Sequence, residues 1–442
     1  MIFNLIAILI VLVLLVFSIS KLKIHPFIVL ILAAICLGVI VGLDGEKTIS
    51  VLLEGFGSTM KWIAIVVILG AFIGEVLHET GGAIRIAKKI LKWTGQKRLP
   101  WAMGFTGYIV SIPVFVDVAY ILFQPITEGL ARRSKTPLLV VGLSLAAGLT
   151  VSHTLMPPTP GPLAVASILN ADLGKLLLIN SFVAIFVVIG GVLWAKLFCK
   201  KIVLDFDKQS QVEENKQSPF ELNNLQKSIF LLDLMPIVVP IILMAGGAFF
   251  TGESKIEKVL HFLGIPMVAV LIGASIAAIQ FFRVKTKTKF NDLVEAAIVK
   301  SALVIMITGA GGAFGYVIRA SGVQDSLGEF FASMPYLGFL LPFIIAAVLT
   351  TATGSITVSL IGSASILVPL VSVMPYSAEM MAALIGCGSF CVFHANSSFF
   401  WLLNRLHKIP VNILYKTFTL QSLIMGFSGL FGVIILYLIG VR

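Results

Sequence analysis

Charge is what this sequence has least of. Asp, Glu, Lys and Arg make up 12% of its 442 residues, about half of the roughly 25% found in a soluble domain. So few charges cannot cover a water-facing surface at this length, which excludes a soluble globular enzyme. No long stretch outside residues 200–227 has a soluble composition, which excludes one anchor carrying a soluble domain. The alternating segments of about ten residues that mark a membrane β-barrel are also missing. No P-loop occurs, so nothing supports ATP-driven transport. The four cysteines, Cys36, Cys199, Cys387 and Cys391, lie in or beside apolar segments without metal-ligand spacing. They read as structural thiols, and no metal site stands out. The first twenty residues lack a basic n-region and a small-residue cleavage site, so they read as a retained first helix.

What is present is apolar sequence, 58% of the chain, in runs of about 20 residues, the length a helix needs to cross ~30 Å of hydrocarbon. Runs at 2–20, 24–43, 57–79, 101–127, 138–169 and 173–199 precede the polar stretch. Runs at 228–250, 259–282, 297–319, 335–373, 379–404 and 411–440 follow it. The expectation is an all-α polytopic membrane protein whose first partner is the lipid bilayer. A net charge of +11 fits the excess of Lys and Arg in cytoplasmic loops rather than a nucleic-acid partner.

Orientation follows from those cations. Arg85 to Arg98, Arg132 to Lys135, Lys196 to Lys201, Arg283 to Lys289 and Arg405 to Lys408 are the basic clusters. If all are cytoplasmic, run 101–127 starts and ends on one side, with Pro113 near its middle. It reads as a re-entrant hairpin, which is tolerated only when buried in protein or lining a water cavity. Run 335–373 is too long for one helix and carries Thr351 to Thr357, a turn composition, at its centre; it reads as a second hairpin entering from outside. The segment Gly70 to Gly81 parallels Gly311 to Gly322, and the same register carries His153 onto His394. By the charge assignment these segments run in opposite directions. Two inverted repeats with broken helices are expected, as in secondary transporters that bind substrate at the repeat interface. The expected division is 1–199, with a hairpin at about 101–127 and a broken helix at about 138–169; a cytoplasmic linker, 200–227; and 228–442, with a hairpin at about 335–373 and a broken helix at about 379–404. The basic stretch at 81–94 reads as a helix on the inner leaflet.

Asp117 lies in the middle of an apolar run, where a carboxylate costs about 2.5–3.5 kcal/mol and is functional by default. It reads as a proton carrier, an ion ligand or a substrate contact. His153 opens a string in which Pro157, Pro158, Pro160 and Pro162 forbid a continuous helix. The break exposes backbone around Pro157, Pro158, Thr159 and Gly161, and the new helix start attracts anions. His394 heads a second polar cluster, Asn396, Ser397 and Ser398, suited to binding hydroxyls or to bonding helices together. Gly354, Ser355 and Thr357 sit at the tip expected for the second hairpin, and Ser111 beside the first. Gly70, Gly74, Gly311 and Gly315 read as packing contacts.

On these residues the sequence resembles the gluconate permease (GntP) family of bacterial sugar-acid:proton symporters, over essentially the whole chain. The carriers of the resemblance are His153 to Pro162, Pro113 to Pro125, Gly309 to Gly315 and His394 to Trp401. Departures are Asp117, Thr159 and Ser397, where the family usually has Glu, His and Asp. The resemblance implies the ion-transporter superfamily fold, a homodimer, scaffold helices with two hairpins in a mobile transport domain, and location in the bacterial inner membrane. It implies D-gluconate or a related sugar acid as substrate, protons as the coupling ion and no other cofactor. Asp117 is then the proton carrier, with His153 or His394 assisting, and Ser111, Pro157, Pro158, Thr159, Gly161, Gly354, Ser355, Thr357, Asn396, Ser397 and Ser398 bind the substrate. Alternatives are another hydroxy acid or a D-amino acid such as D-serine, coupled to protons or sodium or exchanged, and more remotely a channel. An enzyme is not expected.

Overall fold

An unpaired amide or carbonyl has no water to bond in hydrocarbon, so apolar runs of this length must fold as helices. The computed structural model describes residues 2–94, 98–202, 204, 230–249, 254–284, 288–322 and 335–441. Most of the linker expected at 200–227 lies outside them. In chain order the first half comprises α1 (Ile2–Ser20), α2 (Pro26–Ile40), α3 (Gly45–Glu79), α4 (Gly82–Thr94), α5 (Leu99–Val110), α6 (Val116–Ser134), α7 (Leu138–Leu155), α8 (Pro160–Leu169) and α9 (Leu173–Phe198). The second half comprises α10 (Phe230–Phe249), α11 (Lys255–Gly264), α12 (Pro266–Arg283), α13 (Phe290–Ala320), α14 (Pro335–Thr353), α15 (Ile356–Leu367), α16 (Ala378–Gly388), α17 (Ser398–His407) and α18 (Val411–Leu438). Helix starts use side-chain acceptors in the ordinary way: Asp44 caps α3, Asp172 caps α9 and Ser377 caps α16.

One apolar run departs from the sequence expectation. Run 259–282 is two helices, α11 and α12, because Pro266 has no amide with which to continue α11. Ser254 and Glu257 close a capping box at the start of α11. Run 101–127 becomes the helix pair α5 and α6, and run 335–373 the pair α14 and α15. The arms of the first pair hardly touch each other; both lie against α7. Gly107 of α5 and Gly148 of α7 sit where any side chain would strike the facing backbone, and a side chain at Gly104 would strike Val192 of α9. Small residues of this kind let membrane helices approach closely.

The two halves interlock with the pattern of a two-fold. Helices related by the sequence repeat pack on each other, α3 on α13 and α9 on α18. Contacts also occur in exchange: α6 touches α17, and α8 touches α15. The broken helix α7–α8 is the centre, with 94% of its most apolar stretch buried, against 39% for α12 at the periphery. Every residue of α7 is buried.

Helix α4 is amphipathic, but its apolar side is protein-covered. Ala83, Ile86 and Ile90 are buried, and the helix packs on α5 and α10. Arg85 fastens it: Nε and Nη2 donate to both carboxylate oxygens of Asp233 at 2.7 Å, and Nη1 donates to the Thr80 carbonyl at 2.6 Å. Gln280 of α12 also donates to Asp233. Asp233 is fully buried. Asp117 is therefore not the only acid inside an apolar run, and Asp233 needs no functional reading because a cation neutralises it.

Removing one member of a buried pair strands the other. Asp233→Ala is expected to destabilise the detergent-solubilised protein by about 2–4 kcal/mol, below the fully buried limit because Arg85 keeps some water. The double variant Arg85→Leu/Asp233→Leu is expected to melt above either single Leu variant. A thermal melt showing additive losses would disprove the coupling.

Candidate functional site

The first half gathers its polar break around a proline turn. Residues 111–115 join α5 to α6, and the Ser111 hydroxyl donates to the Val114 carbonyl at 2.9 Å. Ser111 is fully buried and braces this turn, a task different from the ligand role read from the sequence. The turn rests on α3, where Gly74 lies against the Pro113 carbonyl and Gly70 against Pro158. These glycines keep α3 thin where the turn and the break press on it. Gly311 and Gly315, their repeat partners, face Ser365 of α15. The expectation that all four are packing contacts agrees with these positions.

The turn and the break enclose a narrow cavity of about 10 Å³, lined by Gly70, Pro113, Phe115, His153, Pro158 and Thr159 among others. It has room for about one water molecule. The His153 ring centroid is 6.2 Å from that of Phe115. Its Nδ1 is buried and has no partner among the described residues, and the same holds for Oδ1 of Asp117, in the first turn of α6. Unsatisfied buried polar atoms are costly, and they mark places where a ligand, ion or proton completes the bonding.

The break is a poorer anion site than the sequence suggested. Pro160 and Pro162 have no amide hydrogen, and the Leu163 amide goes to the Thr159 carbonyl at 3.3 Å. Among the described residues, that leaves the Gly161 amide as the donor of that turn for which no acceptor is seen. The Thr159 hydroxyl donates to the Met156 carbonyl at 2.5 Å. Gly161 itself is wedged against Leu360 of α15.

Better donors stand at the start of α15. Gly354 turns the chain with φ +72, Ser355 caps the helix through the Val358 amide at 3.3 Å, and the amides of Ile356 and Thr357 remain for a ligand. Ser355 thereby acts as a cap. The second polar cluster closes on this tip. His394 Nε2 and Asn396 Nδ2 both donate to the Thr351 carbonyl, at 2.9 and 2.7 Å. Asn396 Oδ1 is buried and unpaired among the described residues. Ser397 is buried, whereas Ser398 is exposed, so the three polar residues of the cluster do not share one surface. The first break reaches the second half on both sides: Gly161 meets Leu360 of α15, and Gly386 of α16 meets Leu155 at the end of α7.

Sequence reasoning missed a polar network on α6. Tyr120, Gln124 and Glu128 follow Asp117 at helical spacing. The Tyr120 hydroxyl is 3.0 Å from His407 Nε2, and His407 Nδ1 is 3.3 Å from Glu128 Oε1. Gln124 donates to Glu128 at 3.2 Å. The network ties α6 to α17, hence one repeat to the other. The regular spacing of these polar residues was its sequence signal. Missed too were Glu75 and His78, which line a second narrow cleft beneath Pro113 and Phe115; Glu75 accepts from Lys300 at 2.6 Å.

Comparisons agree with this architecture. A family profile described as "GntP family permease" matches residues 3–439. An uncharacterised permease of Haemophilus influenzae is 34% identical over 89% of this chain and 84% of its own. A gluconate permease of Pseudomonas aeruginosa is 32% identical over 95% and 94%. The solved structure of MtrF from Neisseria gonorrhoeae superposes with a TM-score of 0.69 at 13% identity, covering 95% of this chain and 96% of that one, a likeness of fold.

The tip at Gly354 yields a stability test. A methyl group there meets both a left-handed backbone and the Asn396 backbone, so Gly354→Ala is expected to cost about 1–3 kcal/mol or more. Gly362→Ala, in the same arm, meets only a Leu349 methyl group at 3.2 Å and is expected to leave the melting temperature within a few degrees. Equal melting shifts for the two would disprove the tight seat of the tip.

Proposed function

The chain belongs to the GntP family of permeases, and from that premise we propose that it carries D-gluconate or a related sugar acid into the cell with protons. The membrane is the bacterial cytoplasmic membrane, and the carrier works as a homodimer. The observation that carries the reading is the Asp117 carboxylate, with one buried oxygen unpartnered among the described residues at the start of a hairpin arm. A fixed charge of that kind is expensive at membrane depth, and a proton that comes and goes removes the cost.

In this reading the substrate carboxylate meets the Ile356 and Thr357 amides beside Gly354. Its hydroxyls meet Asn396 and Ser397, with the Pro157–Gly161 break closing the other side. Asp117 takes the proton, and His153, whose Nδ1 is also unpartnered among the described residues, assists. His394 holds the tip through Thr351. Access alternates between the two faces as the hairpins move against the scaffold.

The test is uptake of labelled D-gluconate into proteoliposomes under an inward proton gradient. Accumulation is expected to collapse with a protonophore and to fall at least about tenfold in Asp117→Asn. A monoanion with one proton moves no net charge; each further proton adds about 2.3 kcal/mol per 100 mV of membrane potential. Accumulation that survives in Asp117→Asn would assign the proton elsewhere. Absence of uptake by folded protein would rule out gluconate and turn the search to other hydroxy acids and D-amino acids.

A further inference from the structure

A roomier cavity lies away from the breaks, where the ends of α8 and α13 meet the end of α15 and the start of α16. Its volume is about 560 Å³, within the range of small-molecule sites, about 300–1,000 Å³. Its lining is polar: Ser58, Ser167, Asn170, Tyr316, Arg319 and Ser372. Tyr316 donates to Ser58 at 3.0 Å, and the Arg319 guanidinium stands 5.6 Å from the Tyr316 ring centroid. Arg319 is exposed, and no carboxylate pairs with it among the described residues. Glu379, the acid next to the lining residue Ala378, is engaged by the Asp172 amide at 2.8 Å. The Lys and Arg distribution puts this end of the fold outside the cell.

The sequence repeat gives an independent pointer. The register that aligns Gly70 with Gly311 aligns Glu75 with Tyr316 and His78 with Arg319. Glu75 and His78 line the narrow cleft beneath the first hairpin turn; Tyr316 and Arg319 line the wide cavity. Equivalent positions of the two repeats therefore face two cavities, one wide and one closed, as a carrier with one face open requires.

Building on the sugar-acid reading, we propose that the wide cavity is an outward-facing capture site for the sugar-acid anion. Arg319 holds the carboxylate, and Ser167, Asn170 and Ser372 bond hydroxyls, before the anion passes along α8 to the hairpin tips. A guanidinium suits a carboxylate because two of its N–H groups match the two oxygens. The exposed setting of Arg319 makes the attraction sensitive to salt.

Two measurements test it. In uptake kinetics, Arg319→Gln is expected to raise KM for D-gluconate about tenfold with kcat within about twofold, and to abolish the dependence of KM on ionic strength. Arg319→Lys is expected to recover part of the KM and all of the salt dependence. Unchanged KM and salt dependence in Arg319→Gln would overturn the proposal. The second measurement does not need transport. In a Cys36→Ser background, Ser372→Cys is expected to react with a membrane-impermeant thiol reagent from outside intact cells, and D-gluconate to slow the reaction at least about threefold in the wild-type Arg319 setting but not with Arg319→Gln. Cys199, Cys387 and Cys391 are buried and stay silent. No labelling from outside, or labelling indifferent to gluconate, would overturn the capture site. If uptake by the unsubstituted chain is absent while gluconate still protects Ser372→Cys, the transport reading fails and the capture site stands.

Discussion

A helix interrupted at membrane depth survives only where protein surrounds the interruption, and most of this fold is arranged around that demand. The backbone from Met156 to Thr159 cannot be helical, because prolines 157, 158, 160 and 162 remove donors and clash with the preceding turn. Lipid offers nothing to the groups set free. The protein answers by burying α7 completely and by flanking it with both arms of the first hairpin. Gly70 and Gly74 thin α3 so that Pro158 and Pro113 can sit against it. The same device recurs in the second half, where Gly311 and Gly315 receive α15.

Charges inside this framework divide by their partners. Asp233 meets a bidentate arginine and a glutamine, and Glu75 meets Lys300. Glu128 belongs to a network with His407, Gln124 and Tyr120 that spans the two repeats. These groups fix α4, α13 and α17 to their neighbours. Asp117 and His153 differ, since each retains a buried atom without a partner among the described residues. Fixed pairs hold the scaffold; unfinished bonding at the hairpin and the break leaves room for something that arrives and departs.

The arrangement also suits alternating access. The contacts α6 with α17 and α8 with α15 exchange under the internal repeat, as do α3 with α13. An exchange-symmetric fold has two conformations of related energy, in which the roles of the halves are swapped. The cavities at equivalent positions are unequal, wide beside Arg319 and closed beside His78, a difference that such a swap would reverse.

Much of this was legible in the residues because membrane insertion acts on local composition. Apolar run length set the helices, the proline string set the break, and the turn composition at Thr351 to Thr357 set the second hairpin tip. Each depends on a few neighbouring residues and on the absence of water. Other features depended on residues distant in sequence. Nothing local says that Asp233 meets Arg85, that His407 meets Tyr120 and Glu128, or that the Ser111 hydroxyl turns inward to Val114. Nor does composition show that the prolines which break α7–α8 also remove the amides an anion would use, shifting the better donors to the start of α15. Those outcomes belong to the tertiary structure, because hydrogen bonds are satisfied by whichever groups packing brings within 3 Å or so of one another.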